Sequence, residues 1–424
     1  MKETAKTGPA VSRPRRLLLC LDGVPHKIIE TAKTRGLFAR FNKPSRLLSP
    51  FPTMTNVALS AMFKASPPPG YESLYFDCHA HSIEGGIRKY IGARTPDKIP
   101  SSYMDRIDYQ EPLPFEFLIY VMPEKIWRAD MRKFAENFRA APQTRDYFAF
   151  LKGTDGLLHA QGPARLEIAL ESLDQLLIAL QDFCGNETEI ILFSDHGMNV
   201  EPNKRVGLVT QLRRCNFNVR TRFTSDRKRD LSVPTFGLCS YAAIYCKDKF
   251  DAAEAARAVI ELPGVDFVIY KDGQSVIAES TSGSARIDRK ELDGNHFYRY
   301  QPVQGDPLLL RFTMNELKNK HELDSNEFAS DANWFEATRS HRYPDTLANI
   351  YKSLFGNRVT NTADVLVSFQ DGFYYGWSAF ARIVNLAATH GNALQASSHA
   401  FMMSTHRELP SVIRADDASQ FLLT

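Results

Sequence analysis

Long apolar runs are missing from this chain of 424 residues. No stretch approaches the eighteen or more apolar positions of a membrane-spanning helix. Near the amino terminus Arg15 and Arg16 precede LLLCL, but that apolar run is closed by Asp22 and is too short for a secretory signal. A cytoplasmic location is therefore the expectation. Cysteine is also scarce: six residues, at 20, 78, 184, 215, 239 and 246, with no CxxC pair. That scatter argues against a disulfide framework and against cysteine-held zinc, and it reads Cys20, Cys184 and Cys239 as small core residues. An excess of one charge is lacking as well. A formal net charge of +3 gives no global argument for nucleic acid or a membrane as partner. Internal repeats and low-complexity tracts are absent.

What is present belongs to a folded protein, with 43% hydrophobic and 24% charged residues. Residues 1–14 read as a polar flexible tail. RLLLCLDG then has the unbroken apolar character of a buried parallel strand, and PHKIIETAKTRGLFARF suits the helix after it. RLLSPFPTMTN reads as a loop around Pro50 and Pro52, leading into a helix with Thr55 near its start. FEFLIYVM suggests a strand and KIWRADMRKFAENFRA an amphipathic helix. DYFAFLKGTDGLLHAQGP predicts a strand and an irregular loop. A long helix follows from Pro163, a residue suited to a first helical turn, and then the strand TEIILFSDHG. This alternation predicts an α/β fold, a mostly parallel central sheet with helices on both faces. Residues 201–330 look separately built, as an inserted cap or accessory region with an Asp-Gly hairpin in VIYKDGQSVIAES. The core is then 15–200 together with 331–424, where YPDTLANIYKSLF and TADVLVSFQDGFYYG resume as helix and strand.

Several strand candidates end in ionisable residues. Asp22 follows LLLCL, Asp155 and His159 follow YFAFLKGT, and Asp195 and His196 follow IILFS. In doubly wound proteins, ligands bind beyond the carboxyl ends of the strands, where these residues would converge. Mixed aspartate and histidine suits zinc or a related divalent ion. Each piece alone has a plainer reading as a turn or a cap, and it is the series that points to a metal site. Thr53 and Thr55 in FPTMTN precede a helical run, where they would serve as caps or lie where free N–H groups favour an anion. A threonine hydroxyl becomes a nucleophile only with a base or a metal beside it.

The order of these motifs resembles the alkaline phosphatase superfamily, in particular its type I phosphodiesterases and nucleotide pyrophosphatases. That family carries an Asp after its first strand, matched by Asp22. Its PTxT segment, with the nucleophile at the second threonine, falls on Thr55. Its PDxxGH segment corresponds to TDGLLH, with Asp155 and His159, and the following Gly162-Pro163 is also present. SDHGM is matched letter for letter at 194–198, and ATHGN supplies His390. Of the nearby histidines, His399 and His406 compete with His390, which alone precedes a glycine. The resemblance implies an alkaline phosphatase-like fold and two divalent metal ions, zinc foremost. Asp22, Thr55, Asp195 and His196 would hold one, and Asp155, His159 and His390 the other. It implies a metal-dependent phosphoric ester hydrolase, a phosphodiesterase before a phosphomonoesterase or phosphonate hydrolase. The mechanism would run through a phosphothreonine at Thr55, on a small phosphate ester, nucleotide-like esters included.

Two departures bear on substrate. The PESHGIVGN phrase that in many relatives supplies an Asn for a phosphoryl oxygen has no counterpart in PPPGYESLYFDCHAHSIEGG, leaving His79, His81 or another Asn as candidates. Leu158 stands where the family has glycine. A CxPxR segment of the sulfatase kind is absent. The aromatic string DGFYYGWSAF would line a pocket or pack as core. A non-enzymatic reading rests on nine Lys or Arg residues between 204 and 229, interleaved with Phe217 and Phe223. These form either a solvated insertion or a nucleic-acid surface.

Overall fold

The computed structural model describes residues 15–86, 99–112, 118–119, 122–201, 203–224, 228–235, 237–376 and 386–423. The expected tail at 1–14, most of FEFLIYVM and the WSAF end of the aromatic string lie outside them. The core sheet has seven strands: β1 (Arg16–Leu21), β2 (Ser45–Leu48), β3 (Tyr109–Gln110), β4 (Tyr147–Leu151), β5 (Glu189–Ser194), β6 (His399–Ser404) and β7 (Val412–Arg414). Their order across the sheet is β7-β2-β6-β5-β1-β4-β3. Only β6 runs against its neighbours; the other pairings are parallel. This is the mostly parallel sheet expected from the sequence.

Parallel strands must be apolar on both sides, and β1 shows why. All six residues of RLLLCL are buried. Leu17, Leu19 and Leu21 pack into the face covered by α1 (His26–Thr34), α3 (Pro123–Ala140) and α5 (Pro163–Cys184). Leu18 and Cys20 pack into the opposite face with Leu59 and Met62 of α2 (Thr55–Met62) and with Ala418 and Leu422. Each such leucine contributes roughly 1.5–3 kcal/mol of burial. Helix α5 buries Leu166, Ala169, Leu170, Leu173, Leu177 and Leu180, a helical stripe that faces the sheet.

Two local readings are corrected. Arg46, Leu47 and Leu48, taken as loop, belong to strand β2, paired in register with β6 and β7. KGTDGLLHAQ, taken as an irregular loop, is helix α4 (Gly153–Gln161). Two glycines weakened its helical pattern, yet both are buried against neighbours: a side chain on Gly153 would meet Trp127, and one on Gly156 would meet Ile119.

A second sheet of nine strands is almost wholly antiparallel. It contains the hairpin Val265–Asp272/Ser275–Ser280, whose Asp272-Gly273 turn was legible, and the long hairpin Gly283–Leu292/Asn295–Gly305. Val365–Phe369 lies between Tyr241–Cys246 and Val265–Asp272, so the sheet draws strands from both sides of residue 330. Helix Asp251–Ile260 covers one face and helix Thr346–Phe355 the other. All six cysteines are unpaired. Among the described residues, no helix is long and apolar enough to cross a membrane.

Candidate metal centre

The carboxyl ends of β1, β4 and β5 bring the ionisable residues together. Leu21 pairs with Leu151 on one side and with Ser194 on the other, so Asp22, the start of α4 and Asp195 leave the sheet side by side. Thr154 Oγ1 donates to the Asp22 carbonyl at 2.6 Å, tying α4 to the end of β1. On α4, Asp155 and His159 are four residues apart and share a face; His159 Nε2 lies 3.2 Å from Asp155 Oδ1.

Asp195 and His196 answer the oddity of charged residues after a buried strand. Both are fully buried. Asp195 Oδ1 accepts from Gly23 N at 3.1 Å, while its Oδ2 has no hydrogen-bond donor among the described residues. His196 Nε2 lies 3.4 Å from Asp195 Oδ2 and 3.5 Å from Asp22 Oδ1. The glycine that follows is a matter of space: a Cβ on Gly197 would stand 2.3 Å from the Ala396 carbonyl and 2.8 Å from that of His399. Gly23 has φ +69°, and its missing Cβ leaves room for Asp155 Oδ1 and His196 Cε1.

Thr55 is the first residue of α2, and its side chain does not cap the helix. Its Oγ1 lies 3.3 Å from both Asp22 Oδ1 and His196 Nε2. Thr53 has a different task. Its hydroxyl donates to the Asn392 carbonyl at 3.2 Å and accepts from Gly391 N at 2.9 Å, fixing the loop that carries His390. The second sheet fixes the same loop, through Ser240 N to the His390 carbonyl at 2.7 Å and Asn392 Nδ2 to the Phe369 carbonyl at 2.9 Å. His390 Nε2 then lies 3.7 Å from Asp155 Oδ1, and its ring stacks on His196 at 3.9 Å. His399 is on β6 near His26 and Arg46, and His406 is bonded to Thr405. His79 lies exposed in the turn after Leu74–Asp77, and His81 ends that turn.

The three imidazoles of the cluster share one arrangement. The Nδ1 atoms of His159, His196 and His390 face the carbonyls of Ala388, Gly197 and Thr53 at 2.7, 2.9 and 2.9 Å. A carbonyl only accepts, so each Nδ1 carries a hydrogen, and each Nε2 is left to present a lone pair whenever its ring is neutral. This is the usual support of a metal-ligating histidine. Two triads have ligand atoms mutually within 4.8 Å: Asp22, Asp195 and His196, and Asp155, His196 and His390. The first matches the sequence grouping; in the second, His196 stands where His159 was expected, with His159 beside Asp155. Oxygen and imidazole donors, together with the orphaned Asp195 Oδ2, fit two divalent cations.

Electrostatics follow from burial without counter-charge. Burial, then the Asp195 and Asp155 carboxylates, push Asp22 well above the usual carboxylate range. Burial pushes Asp195 up to about 6. Burial likewise pushes His196 down to about 4, and His390, with His196 stacked on it, down to about 3. Asp155 goes the other way. Burial opposes its charge, yet His159, and after it His390, hold it below the ordinary range.

The basic run is less available than its composition suggests. Arg229 pairs with Glu254 at 2.8 Å and covers the ring of buried Phe217, and Phe223 packs on Phe76.

A family model described as type I phosphodiesterase/nucleotide pyrophosphatase matches residues 73–303, which include Asp155, His159, Asp195 and His196. No curated protein matches the chain in sequence. Among solved structures, phosphonoacetate hydrolase from Sinorhizobium meliloti, in complex with phosphonoformate, is 14% identical. That match covers 97% of this chain and 95% of the other, with a TM-score of 0.52. Murine ectonucleotide pyrophosphatase/phosphodiesterase 5 is 11% identical over 96% of this chain and 94% of its own, with a TM-score of 0.49.

Proposed function

The chain belongs to the type I phosphodiesterase/nucleotide pyrophosphatase family, and we propose that it cleaves phosphodiesters with Thr55 as nucleophile. Its membership makes it a hydrolase of the alkaline phosphatase superfamily, a class of metal-dependent phosphoric ester hydrolases. The observation that carries the finer reading is the position of Thr55 Oγ1, 3.3 Å from a carboxylate of one strand end and 3.3 Å from an imidazole of the next. A capping threonine would turn to its own helix; this one turns to the ligands.

Asp22, Asp195 and His196 would hold one cation, and Asp155, His159 and His390 the other, with zinc the natural occupant of such a donor set. Bound there, two cations neutralise phosphoryl oxygens and make a hydroxyl oxygen nucleophilic at neutral pH. The protein's part is positioning. Thr55 Oγ forms its bond to phosphorus as the ester P–O bond breaks, the electron pair leaving with the alcohol oxygen. The threonine proton is returned, through solvent, to that alcohol. Water then attacks the phosphothreonine, restoring the hydroxyl and releasing a phosphomonoester. The Nδ1 hydrogen bonds of the three histidines keep every Nε2 aimed inward throughout.

The substrate is a small phosphate ester, with a nucleotide-like leaving group among those to try. A phosphonate is the second, since a phosphonoacetate hydrolase shares the fold. The test is turnover of bis-p-nitrophenyl phosphate by zinc-loaded protein, beside p-nitrophenyl phosphate and the Thr55→Ala variant. Diester cleavage lost with chelator and in the variant is the expected result. A monoester preference would move the assignment to a phosphatase, and turnover surviving in Thr55→Ala would remove the nucleophile.

A further inference from the structure

Thr55 and the metal ligands leave one requirement of the reaction unassigned, a donor for the non-bridging phosphoryl oxygens that gain charge as the nucleophile approaches. We propose that the Asn56 carboxamide is that donor and that Tyr103 positions it; this rests on Thr55 being the nucleophile.

The argument begins with α2. Thr55 and Asn56 are its first two residues and are both half-buried, while Val57, Ala58 and Leu59 behind them are buried in the core. Thr55 and Asn56 are therefore the two residues of the helix start that are not shut into the core. Asn56 Oδ1 accepts from the hydroxyl of buried Tyr103 at 2.8 Å. With the oxygen so occupied, Nδ2 keeps both hydrogens and has no acceptor among the described residues. Were the amide turned over, one N–H would still be unused. The backbone points the same way. Met54 precedes the helix without a side-chain cap, and the N–H groups of Thr55, Asn56 and Val57 have no acceptor among the described residues. These groups form the positive end of the helix, next to the oxygen that would bond phosphorus. His79 and His81, the other candidates in this stretch, belong to the hairpin Leu74–Asp77/Ser82–Gly85. That hairpin is tied to Thr221 and Phe223 by its own backbone.

A side-chain donor of this kind contributes about 10²- to 10³-fold to kcat. The experiment compares wild type, Asn56→Ala, Tyr103→Phe and Thr55→Ala, all metal-loaded and full-length. It reads kcat and KM on bis-p-nitrophenyl phosphate, the affinity for orthovanadate, and relative rates on the two diastereomers of methyl p-nitrophenyl phosphorothioate. Asn56→Ala is expected to lose about 10²-fold or more in kcat with little change in KM. Its vanadate affinity should fall at least tenfold, and the diastereomer ratio should move toward one, with metal content and Tm as in wild type. Tyr103→Phe should move the same ratio part of the way. If Asn56→Ala is insoluble, Asn56→Gln reads the same ratio. Thr55→Ala inert, but Asn56→Ala within threefold of wild type with an unchanged ratio, would overturn this proposal alone. Turnover surviving in Thr55→Ala would overturn the nucleophile and this proposal with it.

Discussion

The two halves of the centre solve the problem of buried charge differently. The half around Thr55 sets two carboxylates, Asp22 and Asp195, against one imidazole, and burial pushes both acids up. The half around Asp155 sets one carboxylate against His159 and His390, and its acid is held down. The first half is built on strand ends of a single sheet. The second joins a helix to a loop pinned by Thr53 and by the second sheet. In the first half only a cation or a proton can offset the charge, whereas in the second the one carboxylate has the His159 imidazole against it, a ring whose pKa Asp155 in turn raises against burial. A bound dication reverses the repulsion in the first half, so that half should respond most sharply to metal and to pH.

The largest expected effect belongs to Thr55→Ala: a loss of about 10³-fold or more in turnover, with metal content unchanged by elemental analysis. Gly197→Ala comes next, because its Cβ would meet two backbone carbonyls that cannot yield. Gly156→Ala meets only the Ile119 side chain, at 2.5 Å, and should cost about 1–3 kcal/mol by overpacking. Comparing their thermal unfolding and zinc binding tests whether the strand-end half is the more rigid. A pattern in which Gly156→Ala is the worse of the two would break the comparison.

The pH dependence of the metal-free protein sharpens it further. Asp195 titrates higher when folded, about 6, than the roughly 3.9 of an unfolded Asp. Its ionisation therefore removes stability as pH rises across that window. Asp195→Asn should be relatively more stable with rising pH, by about 2–3 kcal/mol above pH 6. His390, pushed down to about 3, gives the opposite sign. The unfolded imidazole gains a proton below about 6.5 and the buried one does not. His390→Asn should thus gain on wild type as pH falls below about 6.5 and match it above. Denaturant midpoints of the chelated proteins between pH 4 and 8 decide both. The smallest effect is at the periphery: Arg229→Ala, an exposed pair with Glu254, should change stability by less than about 1 kcal/mol and leave turnover alone.

The core was legible where local chemistry and tertiary placement agree. RLLLCLDG and EIILFSDHG read as buried parallel strands because the five positions after the first residue of each strand are apolar or small, and ionisable residues follow each of them. His390, singled out by its glycine neighbour, lies beside Asp155 and His196. Helix α4 was not, because Gly153 and Gly156 are there for Trp127 and Ile119, packing that no local pattern reveals. The long hairpin from Gly283 to Gly305 was missed for a related reason. Its strands are half-exposed and charged, and their pairing is set by each other. The tie between Asn56 and Tyr103 joins residues far apart in sequence, and only the fold brings them together.

The most direct test of the account is to quench zinc-loaded protein in acid during turnover of bis-p-nitrophenyl phosphate and map any covalent adduct by mass spectrometry. The account predicts a phosphoryl ester on the peptide carrying Thr55, absent in Thr55→Ala and absent after chelation. Turnover with an adduct on another residue, or undiminished turnover in Thr55→Ala, would contradict it.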